Sequence, residues 1–279
     1  VLFQIDPPRS SATERARVAL FQSIEDRLTA VPGVQLATLS SEPLLANSMA
    51  NGCFRPASRP AGETSNDADD VVWTNHVGAR FFETFGLRVP LGRVFDAGDG
   101  PAAPRVGVIN QQVAQRFFPG QSALGQSLVE CDAEGDPRPI EVVGVSVDAK
   151  YSSLRDEVPP TIYLSYRQAQ DLGSVTYEVK TAASLASIAP ALRQAVRAVD
   201  PELPLLDLRT QEQQVDATLT QERVFATLAS SFGLVALLLA SIGIYGVMAY
   251  NISRRTQEIG IRKALGAQAG EVVSMVLHE

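Results

Sequence analysis

Few residues of this 279-residue chain combine the types and the spacing that catalysis needs. The segment Gly144–Asp148 (GVSVD) places Ser146 as in a hydrolase nucleophile turn, but the last glycine of GxSxG is missing. His76 could serve as a base, although a satisfied surface or core histidine is the simpler interpretation. No GxxxxGK[ST], CxxC or HExxH motif occurs. The sequence therefore predicts a chain that is not an enzyme, with no catalytic, cofactor-binding or metal-binding residues.

Two cysteines, Cys53 and Cys131, form the remaining chemically notable pair. In an oxidising compartment they would be able to form a disulfide, and otherwise they are two unrelated thiols; the sequence leaves both alternatives open. The acidic run at residues 63–70 lacks EF-hand spacing, so it indicates a solvated surface rather than a calcium site.

Charge is distributed unevenly along the chain. The formal net charge of −7 argues against a nucleic-acid partner, because neutralising phosphates requires a basic face. Residues 1–223 contain 20 Lys and Arg against 28 Asp and Glu, whereas residues 224–279 contain 4 against 3. The 30 residues from Val224 to Ser253 carry no charge, and about 20 apolar residues suffice to cross a hydrocarbon core. The sequence predicts a transmembrane helix in contact with membrane lipid.

The residues that flank this helix indicate its orientation. The cations that follow it are Arg254, Arg255, Arg262 and Lys263, with Glu258 between them. Lys and Arg close to a span are retained on the cytoplasmic side. We therefore expect residues 1–223 outside the cytoplasm, placed there by a further segment upstream.

Two strand–helix–strand units lie at the two ends of this outer segment. The predicted elements are strand Val1–Ile5, a helix behind the capping box Ser11–Glu14 and strand Val34–Leu39, then strand Ser174–Thr181, a helix capped at Ser184 and strand Leu203–Leu208. Two such units can close a ferredoxin-like sheet with both helices on one face. We expect an α+β fold in which the first and last thirds form one subdomain.

The middle of the outer segment is predicted to be an insertion with a small mixed α/β fold. Its predicted elements are strands at 71–75, 88–94, 106–109, 127–131, 140–147 and 161–164 and helices at 79–85 and 111–118. Residues 40–70 are rich in Pro and acidic residues and are predicted to be a loop.

A long helix is predicted to follow the outer segment. Thr210–Gln213 (TQEQ) has the pattern of a capping box, and nothing breaks the chain between it and the span. A helix from Gln211 to Tyr250 would contain 40 residues and extend about 60 Å. We expect a stiff stalk, continuous with the span, that carries movement of the outer segment to the cytoplasmic end.

Small residues recur along the predicted span at intervals of four, three, four and three. They are Ala229, Gly233, Ala236, Ala240 and Gly243. This spacing places them on one stripe, where small residues let membrane helices approach closely. The span is therefore predicted to pack against a partner helix.

The segment after the span, SRRTQEIGIRKALGA at 253–267, is the most specific pattern in the chain. It resembles the sequence after the second transmembrane helix in ABC-transporter permeases of the MacB/FtsX/LolC-LolE type. The outer segment is similar through FFETFGLRVPLGRVFD, RVGVINQQVAQRFFPGQSALGQSL, IEVVGVSVDAKYSSLRDEVPPTIYLSY and TQEQQVDATLTQERVF. The resemblance covers nearly the whole chain, in the family's order.

This resemblance implies a bacterial inner-membrane protein whose periplasmic part has two lobes. A ferredoxin-like porter lobe would comprise residues 1–70 and 172–209, and an inserted sabre lobe residues 71–171. The stalk helix would occupy residues 210–223 and the transmembrane helix residues 224–253. Residues 254–279 would form a cytoplasmic coupling segment and the start of the next helix.

The resemblance also implies a permease fragment that couples ATP hydrolysis to the export or extraction of a hydrophobic or amphipathic cargo. An ABC ATPase subunit or domain outside this chain would hold ATP and Mg²⁺. The residues expected to couple to it are Arg254, Arg255, Glu258, Ile259, Ile261, Arg262, Lys263 and Gly266. A homo- or pseudo-dimer and a periplasmic adaptor are further expected partners.

Sensor proteins also have an outer domain above a stiff helix. An extracytoplasmic receptor with one membrane helix is therefore the alternative prediction. A sensor is expected to continue into heptads after the span. The segment EIGIRKALGAQAGEVV instead turns near Gly266 and leads to new apolar sequence.

Overall fold

The computed structural model describes residues 1–8, 13–45, 50–60, 70–131, 138–149, 158–254, 256–257 and 260–261. The strands are β1 Leu2–Ile5, β2 Val34–Ser40, β3 Ala50–Pro56, β4 Val71–Val77, β5 Leu91–Gly92, β6 Val106–Asn110, β7 Ser127–Glu130, β8 Ile140–Ser146, β9 Thr161–Ser165, β10 Val175–Thr181 and β11 Leu206–Arg209. The helices are α1 Glu14–Thr29, α2 Phe81–Phe85, α3 Gln111–Phe117, α4 Leu185–Arg197 and α5 Gln211–Arg254, with a 3-10 turn at Tyr166–Gln168. The chain divides into two units, Val1–Thr218 and Leu219–Glu279.

Helices α1 and α4 pack together because each has apolar residues at three- and four-residue intervals. Their buried residues include Phe21, Ile24 and Leu28 of α1 and Ile188, Leu192 and Val196 of α4. These side chains share one core cluster with residues of β1, β2 and β10, among them Phe3 and Tyr177, whose rings stack 5.4 Å apart. The strands beneath them are antiparallel in the order β11-β1-β10-β2. The two ends of the outer segment therefore share a sheet and a core.

The strands of the middle segment, together with β3, close into a ring of pairings. The order β4-β3-β7-β8-β6-β9 returns to its start because β9 pairs with β6 on one side and with β4 on the other. One register pair, Ser40 with Val77, links this ring to β2. Closing the ring satisfies backbone groups that free strand edges would leave unpaired.

Strand β3 contradicts the predicted loop over residues 40–70. The segment pairs with β4 on one side and with β7 on the other, and Phe54 is buried in the core cluster of the ring. Its sequence, ANGCFRP, contains residues that disfavour strands. Pairing on both edges outweighs that local preference, so the strand could not be recognised from its sequence.

The predicted strand at 88–94 is reduced to the two residues of β5, which pair with β8. Gly92 has a φ of +77°, in the left-handed region, and a Cβ placed there would lie 2.2 Å from the carbonyl oxygen of Val143. The strand ends here because the backbones approach too closely for a side chain and the chain leaves the extended conformation.

The N-terminus of α1 differs from its predicted capping box. The predicted cap, Ser11, lies outside the described residues, whereas Thr13 caps the helix by accepting the Ala16 amide proton at 3.4 Å. The shift is physically reasonable because Thr is itself a favoured N-cap and Glu14 then lies in the first turn, where its charge complements the helix dipole.

Candidate functional site: the membrane helix and its anchor

Reciprocal hydrogen bonds between Thr210 and Gln213 close the first turn of α5. The Gln213 amide donates to Thr210 Oγ1 at 3.1 Å, and the Thr210 amide donates to Gln213 Oε1 at 2.9 Å. The predicted capping box is confirmed. Since β11 ends at Arg209, the sheet passes into the long helix within one residue.

Two glutamines of this first turn bind the backbone of the loop after β2. Gln214 Nε2 donates to the carbonyl oxygen of Leu45 at 2.9 Å, and Gln211 Nε2 donates to that of Leu44 at 3.4 Å. Gln214 is only 6% exposed, so its bond is shielded from water. We call these four residues the stalk anchor.

The loop side of the stalk anchor is itself held in place. Leu45 has a φ of 61°, a left-handed conformation that costs a non-glycine residue about 1–3 kcal/mol unless its surroundings hold it. The Leu44 side chain is buried in a core cluster with Val77 and Phe81. The anchor could not be recognised from the sequence, because it joins residues 167 and 169 positions apart through backbone carbonyls that no motif marks.

The segment Phe225–Tyr250 of α5 has the properties of a membrane span. Its 26 residues have a mean hydropathy of 2.2, and its apolar side chains are exposed. Its serine hydroxyls are satisfied within the helix, with Ser230 donating to Ala226 at 2.7 Å and Ser241 donating to Leu237 at 2.8 Å. A helix that satisfies its own polar groups can lie in hydrocarbon without water.

The five small residues of the predicted stripe lie in this segment and are exposed. At about 100° per residue, they fall within an arc of about 80° on the helix. A Cβ added at Gly233 or Gly243 would meet no described atom within 4 Å. The larger apolar side chains of the span are exposed as well, so exposure alone does not distinguish the stripe. Its role in packing stays a prediction.

The structure describes two of the predicted coupling residues. Arg254 ends α5, and its guanidinium carbon lies 5.7 Å from the ring centroid of Tyr250. Ile261 is helical and 61% exposed. The other coupling residues lie outside the described part of the chain: Arg255, Glu258, Ile259, Arg262, Lys263 and Gly266.

The two residues considered for hydrolysis are ordinary parts of the sheet. Ser146 is fully buried, and its hydroxyl donates to the carbonyl oxygen of Ile109 at 3.4 Å. Burial, reinforced by the nearby Arg105 cation, lowers the pKa of His76 to about 4. Ser146 is therefore inaccessible to a substrate, and His76 is neutral at pH 7.

The two cysteines form a disulfide, Cys53–Cys131. Asp70 lies close to both sulfurs, with potential ligand atoms of the three residues within 4.8 Å of one another. Each sulfur is bonded to the other, however, and both Asp70 carboxylate oxygens accept from Arg59 Nη1, at 2.7 and 2.9 Å. This grouping therefore offers no thiolate to a metal ion.

A buried carboxylate in β10 was not anticipated from the sequence. Glu178 is 2% exposed, and Ser40 Oγ donates a hydrogen bond to its Oε1 atom. Burial raises the pKa of Glu178 to about 8. The alternation of β10 places Tyr177 and Val179 in the core shared with α1 and α4, so a glutamate between them suggested a solvent-facing position.

Two family models match the chain. A model described as a MacB-like periplasmic core domain matches residues 9–195, and one described as an FtsX-like permease C-terminal region matches residues 230–279. The chain belongs to the MacB/FtsX-type ABC-transporter permeases. This membership, together with the apolar helix of α5, places the permease in the bacterial inner membrane with an extracytoplasmic segment.

Relatives of this permease include YknZ of Bacillus subtilis, an uncharacterized ABC transporter permease. It is 27% identical over 209 residues, which are 74% of this chain and 51% of YknZ. The macrolide export ATP-binding/permease protein MacB of Neisseria gonorrhoeae is 26% identical over 211 residues, 73% of this chain and 32% of MacB. The pyoverdine export ATP-binding/permease protein PvdT of Pseudomonas aeruginosa is 26% identical over 206 residues, which are 71% of this chain and 30% of PvdT. The chain thus spans about half of YknZ and about a third of the two exporters.

Two solved structures are similar to this permease at low sequence identity. The periplasmic region of MacB from Actinobacillus actinomycetemcomitans has a TM-score of 0.49 and 16% identity, covering 77% of this chain and 92% of that one. The extracellular domain of YknZ from Gram-positive bacteria has a TM-score of 0.47 and 17% identity, covering 74% of this chain and 99% of that one.

Proposed function

We propose that this chain transmits the work of ATP hydrolysis from a cytoplasmic ABC ATPase to its extracytoplasmic segment, which exports or extracts a hydrophobic or amphipathic cargo. The observation that carries the proposal is the FtsX-like match over residues 230–279, which begins inside the charge-free helix and includes the basic segment after it. The ATPase, as a partner subunit or an attached domain, would hold ATP and Mg²⁺. The same match favours a permease over the sensor alternative.

The stalk anchor supports a mechanical role for α5. One helix carries the anchor in its first turn and the apolar segment further along. Leu44, on the loop side of the anchor, packs in a core cluster with Phe81. A displacement of α5 along its axis would therefore act on packed side chains rather than on a free loop. Residues 210–223 would serve as the stalk in this mechanism.

Two lobes are part of the same proposal. The sheet β11-β1-β10-β2 with α1 and α4 would form the porter-like lobe, and the ring β4-β3-β7-β8-β6-β9 would form the sabre-like lobe. Strand β3 would then belong to the sabre-like lobe, although the sequence resemblance assigns residues 1–70 to the porter lobe. The division is drawn at the β2–β4 junction, where the strands share the single register pair Ser40 with Val77. Hydrogen bonds of Ser41 and Glu42 with Asn75 and His76 also join the two lobes there, so we expect them to move together rather than to hinge freely. A homo- or pseudo-dimer and a periplasmic adaptor would complete the transporter.

Charge reversal in the coupling segment tests the proposal. The Arg262→Glu, Lys263→Glu variant of the full-length protein is expected to lose its ATPase partner, because two cations that approach acids become two acids that repel them. The measurement is co-purification from detergent with identification of the bound proteins and an ATPase assay. If the ATPase is a domain of the same full-length protein, it cannot be lost on purification. Its rate of ATP hydrolysis should then become independent of the membrane part.

The matched control for this experiment is Arg193→Glu, Arg197→Glu, which makes the same charge change on exposed positions of α4. It is expected to retain the ATPase. Loss of the ATPase from both variants would point to a general charge effect, and absence of an ATPase from the wild-type preparation would overturn the proposed function.

Helix packing in the membrane gives a second test. The Gly233→Leu, Ala240→Leu variant is expected to reduce assembly of the full-length protein at least about tenfold. The larger side chains would prevent a partner helix from approaching the small-residue stripe closely. The control variant is Gly246→Leu, Ala249→Leu. It replaces one glycine and one alanine with leucine, as the test variant does, but on the other side of the helix. Assembly would be measured by cross-linking in membranes. Equal loss in both variants would contradict a packing role for the stripe.

A further inference from the structure

A cavity of about 400 Å³ lies beside α1, in the unit Val1–Thr218. Arginines from three separate segments line it: Arg15 in the first turn of α1, Arg138 before β8, and Arg167 in the 3-10 turn. Among the described residues that line it, Glu14 is the one acidic residue. The described lining is therefore more positive than the chain as a whole, whose net charge is −7. Arg167 also interacts electrostatically with Glu25 and Asp99, so Arg15 and Arg138 carry most of this excess. We call this cavity the arginine pocket.

Part of the lining of the arginine pocket is apolar, and we call this part the apolar wall. It is formed by Val18, Ala19, Pro101 and Ala169. Val18 and Ala169 also pack against the core shared by α1 and α4, so this wall is fixed by the fold. The pocket therefore combines cations with an apolar surface that cannot easily move away.

Gln168, which also lines the pocket, holds the segment beside it in place. Its Nε2 atom donates to the carbonyl oxygens of Gly100, at 3.2 Å, and of Pro104, at 2.8 Å, while its Oε1 atom accepts from the Val106 amide at 3.1 Å. Three bonds from one side chain fix the chain segment that contains Pro101. Arg167 is also oriented, since its Nη1 atom donates to the carbonyl oxygen of Ala97 at 3.3 Å. A pocket held in this way needs little reordering to accept a ligand.

We propose that the arginine pocket binds the head group of an amphipathic anion, a phosphate or a carboxylate, with the adjoining part of its apolar tail against the apolar wall. Guanidinium groups match the oxygen geometry of both anions and bind them through charge-assisted hydrogen bonds. A volume of about 400 Å³ lies within the range of small-molecule sites, so a head group with a short chain fits. The occupant is therefore an anionic amphiphile, rather than a cation or a neutral apolar molecule.

The test is calorimetric titration of the full chain, in nanodiscs of zwitterionic lipid, with water-soluble probes. Hexyl phosphate is expected to bind at least about tenfold more tightly than inorganic phosphate, because each buried methylene adds affinity, and more tightly than hexanol or hexylammonium. The Arg15→Gln, Arg138→Gln, Arg167→Gln variant is expected to lose at least about tenfold in affinity.

The matched control variant is Arg27→Gln, Arg193→Gln, Arg197→Gln. It removes the same charge from exposed positions of α1 and α4, and its affinity for hexyl phosphate should equal that of the wild type. Fluorescence of Trp73, the single tryptophan, checks that both variants fold. Equal losses in the two variants, or equal binding of hexylammonium and hexyl phosphate, would overturn the proposal.

Nanodiscs that contain phosphatidylglycerol distinguish two sources of the anion. Weaker apparent binding of hexyl phosphate there would support the site and identify a membrane-lipid head group as a competitor. Unchanged binding would support the site with a soluble amphiphile as its ligand. No nucleotide or ATPase is needed in these experiments, so their failure would leave the proposed coupling function standing.

Discussion

The Cys53→Ala, Cys131→Ala double variant is expected to unfold with a free energy about 4 kcal/mol lower than that of the wild-type chain. The disulfide joins cysteines separated by 78 residues, and a cross-link of that span removes conformational entropy from the unfolded chain on this scale. The folded state should change little, because β3 and β7 remain paired and the Cys131 amide donates to the Cys53 carbonyl oxygen at 2.9 Å. The loss therefore comes mainly through the unfolded state.

Urea unfolding followed by the fluorescence of Trp73 measures this effect. Trp73 lies on β4 opposite Asn51 of β3, so its signal reports the strand that carries Cys53. A reducing agent should bring the wild type to the stability of the double variant and leave the variant itself unchanged. Equal stability of the wild type with and without reductant would contradict a stabilising disulfide.

The parts of the fold that follow from local patterns could be predicted from the sequence. The buried faces of α1 and α4 follow from apolar residues at helical spacing, and the capping box at Thr210 follows from side chains that bond within one turn. The membrane helix follows from 30 uncharged residues. Each of these signals lies within one short segment, so no knowledge of the tertiary structure is needed to recognise it.

The features that were missed depend on segments distant in the chain. Strand β3 exists because β4 and β7 pair with its two edges, and the stalk anchor exists because Gln214 reaches a backbone carbonyl far away in the sequence. Pairing of the cysteines was left open for the same reason, since a disulfide needs two Cα atoms about 5 to 6 Å apart and only the fold sets that distance, here 5.3 Å. The arginine pocket likewise assembles cations from three segments.

The buried Glu178 makes the stability of the fold depend on pH. Burial raises its pKa from an ordinary value of 4.5 to about 8, with the Ser40 hydrogen bond acting in the opposite direction. Between these two values the unfolded chain releases the proton while the folded chain keeps it. The free energy of unfolding therefore falls as pH rises, by up to about 1.4 kcal/mol per pH unit from this group. Glu25, whose pKa burial also raises, adds to the same trend.

Replacing Glu178 with glutamine is accordingly expected to stabilise the fold, by about 4 kcal/mol at pH 8 and by almost nothing at pH 4.5. Glutamine has the same shape and keeps an acceptor for Ser40 Oγ, but it has no proton to lose. Glu25 is present in both chains, and its charge is one of the causes that raise the pKa of Glu178, so the difference between variant and wild type reports Glu178 together with this coupling. Urea unfolding at pH values from 4.5 to 8 provides the measurement, with the exposed Glu202→Gln as the control for removing one negative charge. A stability difference that does not grow with pH would mean that Glu178 is ionised inside the folded protein.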